Sequence, residues 1–141
     1  SAGVDNAQLL IEPLTQKLFF ALLQENYSIL RHAGLTLEKI GPFHPDTVMR
    51  ILQTPFLPKL MGVFFRPSLR GTYCSMSPDM GSGHTEVDAY NGHLIRLAGD
   101  FPCPINNAVI NLVDRISRDR LPPSRMHLHH LAMSLPDGIL K

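Results

Sequence analysis

Apolar residues recur at three- and four-residue steps between Asp5 and Arg31, and this period restricts the fold more than any other feature of the sequence. Such spacing is typical of an amphipathic helix. A proline inside a helix removes a backbone donor and crowds the preceding turn, so we expect a kink or a separate first helical turn at Pro13. Gly34 is expected to end the helix in a left-handed conformation. The stripe consists of Leu9, Leu10, Leu14, Leu18, Phe19, Leu22, Leu23, Ile29 and Leu30.

The rest of the sequence carries shorter helical patterns that are separated by glycine and proline. No stretch alternates with period two over more than a few residues, so no strand is predicted. The sequence therefore predicts an all-α helical bundle that forms one domain over residues 1–141. Further helices are expected over 47–53, 58–65, 87–98, 106–118 and 124–135.

Composition excludes several classes of function. The 13 Lys and Arg residues are scattered and nearly balanced by 12 Asp and Glu, so neither nucleic acid nor an anionic membrane is an expected partner. No apolar run is long enough to span a membrane, and no signal peptide is evident. The two cysteines, Cys74 and Cys103, share no CxxC spacing, which favours a reducing, cytoplasmic setting.

Two carboxylates at the start of the 87–98 helix have two possible roles. Thr85 is a candidate N-cap, and Glu86 and Asp88 would then interact favourably with the positive end of the helix. Alternatively, Glu86 could line a pocket, because it shares an α-helical face with Tyr90 and His93. Spacing alone favours the capping role.

The histidines between His127 and His130 suggest a metal site, but their spacing does not support one. On a helix His127 and His130 share a face while His129 does not, and no Cys, Asp or Glu lies within one turn. We therefore expect no metal and a solvated helix with spare histidines. Ser75 has no nucleophile-elbow motif around it, so helix capping is its simplest role.

Several separate blocks share their order and spacing with one known family. They are Glu12-Pro13-Leu14-Thr15, then Ser75-Met76 with Asp79, Thr85-Glu86-Val87-Asp88 with Asn91-Gly92, Arg96-Leu97-Ala98, and Pro102-Cys103-Pro104-Ile105-Asn106. The combination resembles the C-terminal domain of ketopantoate reductases, and several independent blocks make the resemblance fairly specific. It implies an all-α fold similar to the C-terminal domain of 6-phosphogluconate dehydrogenase.

The resemblance also implies a function and a set of site residues. It implies the substrate-binding and dimerisation domain of a 2-dehydropantoate 2-reductase, an NADPH-dependent 2-keto acid oxidoreductase of pantothenate biosynthesis. Ser75 would bind the substrate and Glu86 would contribute to the active site. Gln8 and Glu12 fall where the family has two asparagines that help to hold the substrate. The position of the family's catalytic lysine holds Val4, so we expect no catalytic residue in this chain.

Further departures from the family affect the cofactor and the substrate. Glu12 puts a negative charge where an anionic keto acid should bind. No Gly-x-Gly-x-x-Gly occurs in the sequence, and the chain is too short to hold a Rossmann domain as well. NADPH is therefore expected to bind an N-terminal Rossmann domain of the full-length enzyme, and not this chain alone.

Two hypotheses follow for what the chain does. The first is the substrate domain of a reductase, inactive without its nucleotide-binding partner. The second is a non-catalytic helical domain for assembly or binding, whose active-site positions are degenerate. In that case the segment 61–65 and the long first helix are candidates for a homodimer surface.

Overall fold

The structure, a computed structural model, describes residues 6–39, 44–54, 62–63 and 86–140. Within these ranges the chain is helical and has no β-strand, which confirms the predicted all-α class. Of the helix expected over 58–65, only residues 62–63 are described, and both are helical. The elements are α1 (Asn6–Leu9), α2 (Pro13–His32), α3 (Pro45–Gln53), a π-helical turn (Asp88–Gly92), α4 (His93–Ala98), α5 (Pro104–Arg118) and α6 (Met126–Ser134). None of these helices is both long and apolar enough to cross a membrane.

Pro13 separates the first helical turn from the long helix. It is the first residue of α2, a position where its missing N–H costs no helical hydrogen bond. The preceding residue, Glu12, is extended with φ −81° and ψ 130°. The Thr15 hydroxyl donates to the Glu12 carbonyl at 3.0 Å and so braces this turn. Of the two arrangements expected at Pro13, the structure shows the separate helical turn.

The C-terminus of α2 ends as the sequence predicts. Gly34 has φ +72°, which a residue with a side chain adopts only with strain. The Leu35 N–H donates to the Leu30 carbonyl at 3.0 Å, and the Gly34 N–H donates to the Arg31 carbonyl at 3.0 Å. These two bonds form a Schellman motif, which satisfies carbonyl groups that the end of the helix would otherwise leave unpaired.

Helix α2 is the central element of the described fold, and it contacts α1, α3, α4, α5 and α6. Three apolar clusters lie along its length. Leu18 packs in the first, with α5 and α6, and Phe20 packs in the second, with α3. Ile29 is fully buried in the third, beside the end of α4. Every cluster therefore uses α2 as one wall.

Glu86 is predicted to share one helical face with Tyr90 and His93. This prediction assumes α-helical spacing, and the structure has π-helical spacing in this part of the helix. Residues Asp88–Gly92 form a π-helical turn, which inserts extra backbone into the helix and rotates the residues that follow. Tyr90 is 57% exposed, and Glu86 and His93 are exposed as well. All three side chains therefore lie at the surface of the described chain, and the pocket-lining role of Glu86 stays a prediction.

Candidate functional site

A polar cluster connects the turn between α1 and α2 with the N-terminal part of α6. The Arg125 guanidinium donates to Gln8 Oε1 at 3.3 Å. His129 Nε2 lies 3.4 Å from Glu12 Oε1, in an ion-pair contact that is charged when the imidazole is protonated. Gln8 and Glu12 are four residues apart, as are Arg125 and His129, so two matching pairs face each other.

This cluster changes the electrostatic expectation for Glu12. The Glu12 side chain is 37% exposed, and its carboxylate lies 3.4 Å from the His129 imidazole. A carboxylate beside a protonated imidazole repels an anionic ligand less than an isolated one does. The sequence reasoning identified Gln8 and Glu12 but missed Arg125 and His129, which are more than 100 positions away along the chain.

Glu86 lies outside this cluster. Its backbone carbonyl accepts hydrogen bonds from Ala89 at 2.9 Å and from Tyr90 at 3.2 Å, so Glu86 occupies the N-terminal boundary of the helix. Its carboxylate is exposed and makes no ion pair or hydrogen bond within the described residues. Within the described residues, no ion pair or hydrogen bond joins Glu86 to Glu12. Ser75, Val4 and Thr85 lie outside the described residues.

A second polar network is buried and connects α2 with the N-terminus of α5. Glu25 Oε2 accepts from the Ile105 N–H at 2.9 Å, and Oε1 accepts from the Asn106 N–H and from Asn106 Nδ2, both at 2.8 Å. Asn106 Nδ2 also donates to Asn26 Oδ1 at 2.8 Å, and its Oδ1 accepts from Asn91 Nδ2 at 2.8 Å. Asn106 is fully buried and Glu25 is 9% exposed.

The Glu25 carboxylate acts as the N-terminal cap of α5. The residue at the N-cap position, Cys103, makes no side-chain capping bond, so the first N–H groups of the helix need another acceptor. A carboxylate at a helix N-terminus also interacts favourably with the helix dipole. Asn91 and Asn106 belong to the blocks that resemble the family, and here they are buried structural residues. The sequence gives no clear signal for Glu25, because its neighbours Gln24 and Asn26 are polar as well.

Cys103 is a protonated structural thiol. Burial raises its pKa, and the nearby Glu25 carboxylate raises the pKa further. The thiol lies within hydrogen-bond distance of the Phe101 carbonyl, at 3.1 Å. Because a thiolate is the nucleophilic form, these surroundings make Cys103 unreactive.

Alkylation can test this assignment. We expect iodoacetamide at pH 8 to modify Cys103 about tenfold more slowly in the folded protein than in urea. The raised pKa keeps the folded thiol protonated at pH values where the unfolded thiol, with a pKa of about 8.5, has begun to ionise. Mass spectrometry of the peptide that contains Cys103 measures the rate separately from that of Cys74. Equal rates in the folded and unfolded protein would contradict the assignment.

The histidines of α6 have three different surroundings. His127 is 8% exposed, and its Nε2 donates to the Pro122 carbonyl at 3.0 Å, while its Nδ1 is buried without a hydrogen-bond partner among the described residues. His129 contacts Glu12, and His130 is exposed. The expectation of a wholly solvated histidine helix is therefore wrong for His127. Among the described residues, no group of three or more His, Cys, Asp or Glu side chains could hold a metal ion.

Comparison with protein families identifies the domain. The family model described as "Ketopantoate reductase PanE/ApbA C terminal" matches residues 2–117, and the chain therefore belongs to this family. No curated protein and no solved structure matches the chain. Helix α6 and its cap residue Arg125 lie after the matched residues, so Arg125 and His129 come from outside the region that defines the family match.

Proposed function

We propose that this chain is the substrate-binding domain of an NADPH-dependent 2-keto acid reductase similar to 2-dehydropantoate 2-reductase, and that it is inactive alone. Membership of the ketopantoate reductase family supports this class of enzyme. The structural observation that carries the proposal is the cluster of Gln8, Glu12, Arg125 and His129. It places two basic side chains beside the two positions that the resemblance assigns to the substrate.

The cluster has the chemistry to bind and orient a small carboxylate. Arg125 makes its one described side-chain hydrogen bond to a neutral amide, so its remaining N–H groups can bind an anion. A guanidinium binds a carboxylate through two parallel hydrogen bonds, which fixes the orientation as well as the position. His129 neutralises Glu12 when it is protonated and so lowers the repulsion that a keto acid would meet. Glu86 and Ser75 stay in the proposal as substrate-site residues by resemblance.

The described residues do not fit a dinucleotide. Dinucleotide sites of the Rossmann type use a strand that leads into a glycine-rich turn and a helix, and the described ranges hold no strand. We therefore assign NADPH binding to an N-terminal nucleotide-binding domain of the full-length enzyme. The role proposed for this chain is limited to holding the keto acid.

The proposal can be tested on the full-length product of the gene that encodes this chain. We expect NADPH oxidation, followed by its absorbance, when ketopantoate or another 2-keto acid is added. Arg125→Gln should lower kcat/KM at least tenfold, because a charge-assisted hydrogen bond to the substrate is lost. Arg118→Gln is the matched control, since Arg118 is exposed and contacts Asp119. A folded full-length protein with no turnover on any 2-keto acid would contradict the proposal.

The alternative proposal, a non-catalytic assembly domain, also has a structural observation in its favour. Val63 is 60% exposed and Phe19 on α2 is 38% exposed, and these residues belong to the two segments suggested as a homodimer surface. A contiguous apolar patch that contained both residues would mark an interface. Sedimentation analysis showing a dimer that Phe19→Ser disrupts, together with an inactive full-length protein, would favour this alternative over the reductase.

A further inference from the structure

A separate cavity of about 280 Å³ lies between α5 and α6. Asn107, Asn111 and Arg115 line it from α5, while His130 and Ser134 line it from α6. It is distinct from the cluster at the α1–α2 turn, because none of the four residues of that cluster lines it. The two sites use different residues of α6, since His129 contacts Glu12 and its neighbour His130 lines the cavity.

The polar side chains from α5 form one stripe. Asn107, Asn111 and Arg115 follow one another at four-residue steps, so they lie on the same face of the helix over about 12 Å. Two amides, which can both donate and accept, thus precede one permanent cation. This order suits an elongated molecule with an anionic end and a second hydrogen-bonding end.

Four of the five polar side chains that line the cavity lack partners within the described part of the chain, and the fifth, Ser134, donates to the Leu131 carbonyl at 2.7 Å. The side chains of Asn107, Asn111, Arg115 and His130 make no hydrogen bond or ion pair there. The lining contains no Asp or Glu, so the local charge is positive at neutral pH. Two other arginines do have acidic partners, since Arg31 pairs with Asp46 and Arg118 pairs with Asp119. A ligand with acceptor oxygens would supply the partners that the cavity lacks.

The remaining lining is apolar. Ala108 and Leu112 of α5 and Leu131 of α6 line the cavity with their hydrocarbon side chains. An inorganic anion would pair with Arg115 but would leave this apolar surface in contact with water. The volume equals that of about nine water molecules, which limits a ligand to a small organic molecule. Most small-molecule sites likewise combine apolar walls with a few polar anchors.

We propose that the cavity between α5 and α6 binds a small organic carboxylate. Its carboxylate contacts Arg115 and His130, its second polar group contacts Asn107 and Asn111, and its short hydrocarbon part packs on the apolar wall. This site does not depend on the reductase proposal, because it uses neither a 2-keto group nor any residue of the Gln8 and Glu12 cluster.

The test is a titration of the 141-residue chain with succinate, followed by calorimetry and by two-dimensional NMR of backbone and side-chain amides. We expect saturable binding with chemical-shift changes at the side-chain amides of Asn107 and Asn111. Inorganic phosphate, the comparison ligand, should bind at least tenfold more weakly, because it cannot use the apolar wall.

Matched variants assign the binding to this cavity. Arg115→Gln should weaken succinate binding at least tenfold, whereas Arg118→Gln, one turn further along α5, should change it less than twofold. Asn111→Asp keeps the side-chain shape but adds a negative charge, and it should also weaken binding at least tenfold. An unchanged melting temperature shows that these exposed substitutions leave the fold intact.

Three outcomes would overturn the inference. They are the absence of succinate binding, binding that Arg115→Gln and Asn111→Asp leave unchanged, and phosphate binding as tight as that of succinate. Binding that is lost with Arg125→Gln instead would move the carboxylate site to the α1–α2 turn. Loss of reductase activity in the full-length protein would leave this inference unaffected.

Discussion

Replacing Glu25 with alanine is expected to lower the free energy of unfolding by about 4 kcal/mol, because it removes the acceptor for three buried donors at once. The donors are the backbone N–H groups of Ile105 and Asn106 and the Asn106 side-chain amide, all within 2.9 Å of a Glu25 oxygen. With the carboxylate absent, the two backbone N–H groups lose their acceptor where water has little access, and the Asn106 side-chain amide keeps only its bond to Asn26. Loss of the favourable interaction with the dipole of α5 adds to the effect.

Urea unfolding followed by circular dichroism measures this change. Glu38→Ala is the matched control, since Glu38 is exposed, and it should change the free energy of unfolding by less than about 0.5 kcal/mol. Asn91→Ala removes only the outer bond of the network, to Asn106 Oδ1, and should cost about 1 kcal/mol. If Glu25→Ala costs no more than the control, the network does not stabilise the fold in this way.

Replacing Glu12 with asparagine is expected to tighten the binding of a 2-keto acid about tenfold, equivalent to about 1.4 kcal/mol. The change introduces the asparagine that the resemblance implies at this position and removes a negative charge from the proposed binding surface. It also frees His129 from its contact with Glu12, 3.4 Å away, so that the imidazole can interact with the ligand. The gain should shrink at high salt, because these side chains are partly exposed and their charges are screened.

NMR titration of the chain with ketopantoate measures the Kd. Glu38→Asn changes the net charge by the same amount away from the cluster and should leave the Kd within twofold of the unsubstituted chain. A weaker complex with Glu12→Asn would mean that the ion pair with His129 itself positions the ligand. That result would contradict the repulsion on which this prediction depends.

The sequence was sufficient to predict the helical elements wherever local chemistry determines them. Pro13 marks the first residue of α2, and Gly34 marks its left-handed end, because both residues restrict the backbone directly. Pro104 opens α5 two residues before the predicted start at 106, again as the first residue of a helix. Periodicity also identified the last helix, α6, within two residues of its observed ends.

The contacts that build the candidate site are not local, and for that reason the sequence did not reveal them. Arg125 reaches Gln8 across 117 positions of the chain, and Glu25 reaches Asn106 across 81. Helical spacing predicts which residues share a face of one helix, but it does not predict which other helix packs against that face. The π-helical turn shows a further limit, because its Asn91 donates to Asn106 of α5, a tertiary contact that helical spacing does not predict.

The Glu25 cap also affects the order in which the chain can fold during synthesis. Its partners lie 80 and 81 residues further along, so Glu25 leaves the ribosome long before Ile105 and Asn106 do. At about 5–20 residues per second, the delay is roughly 4 to 16 seconds. During this interval the Glu25 carboxylate has no N–H donors from α5, and Leu18 of α2 lacks the residues of α5 and α6 that pack on it. The nascent chain is therefore expected to depend on chaperones until its C-terminal third emerges and closes the fold.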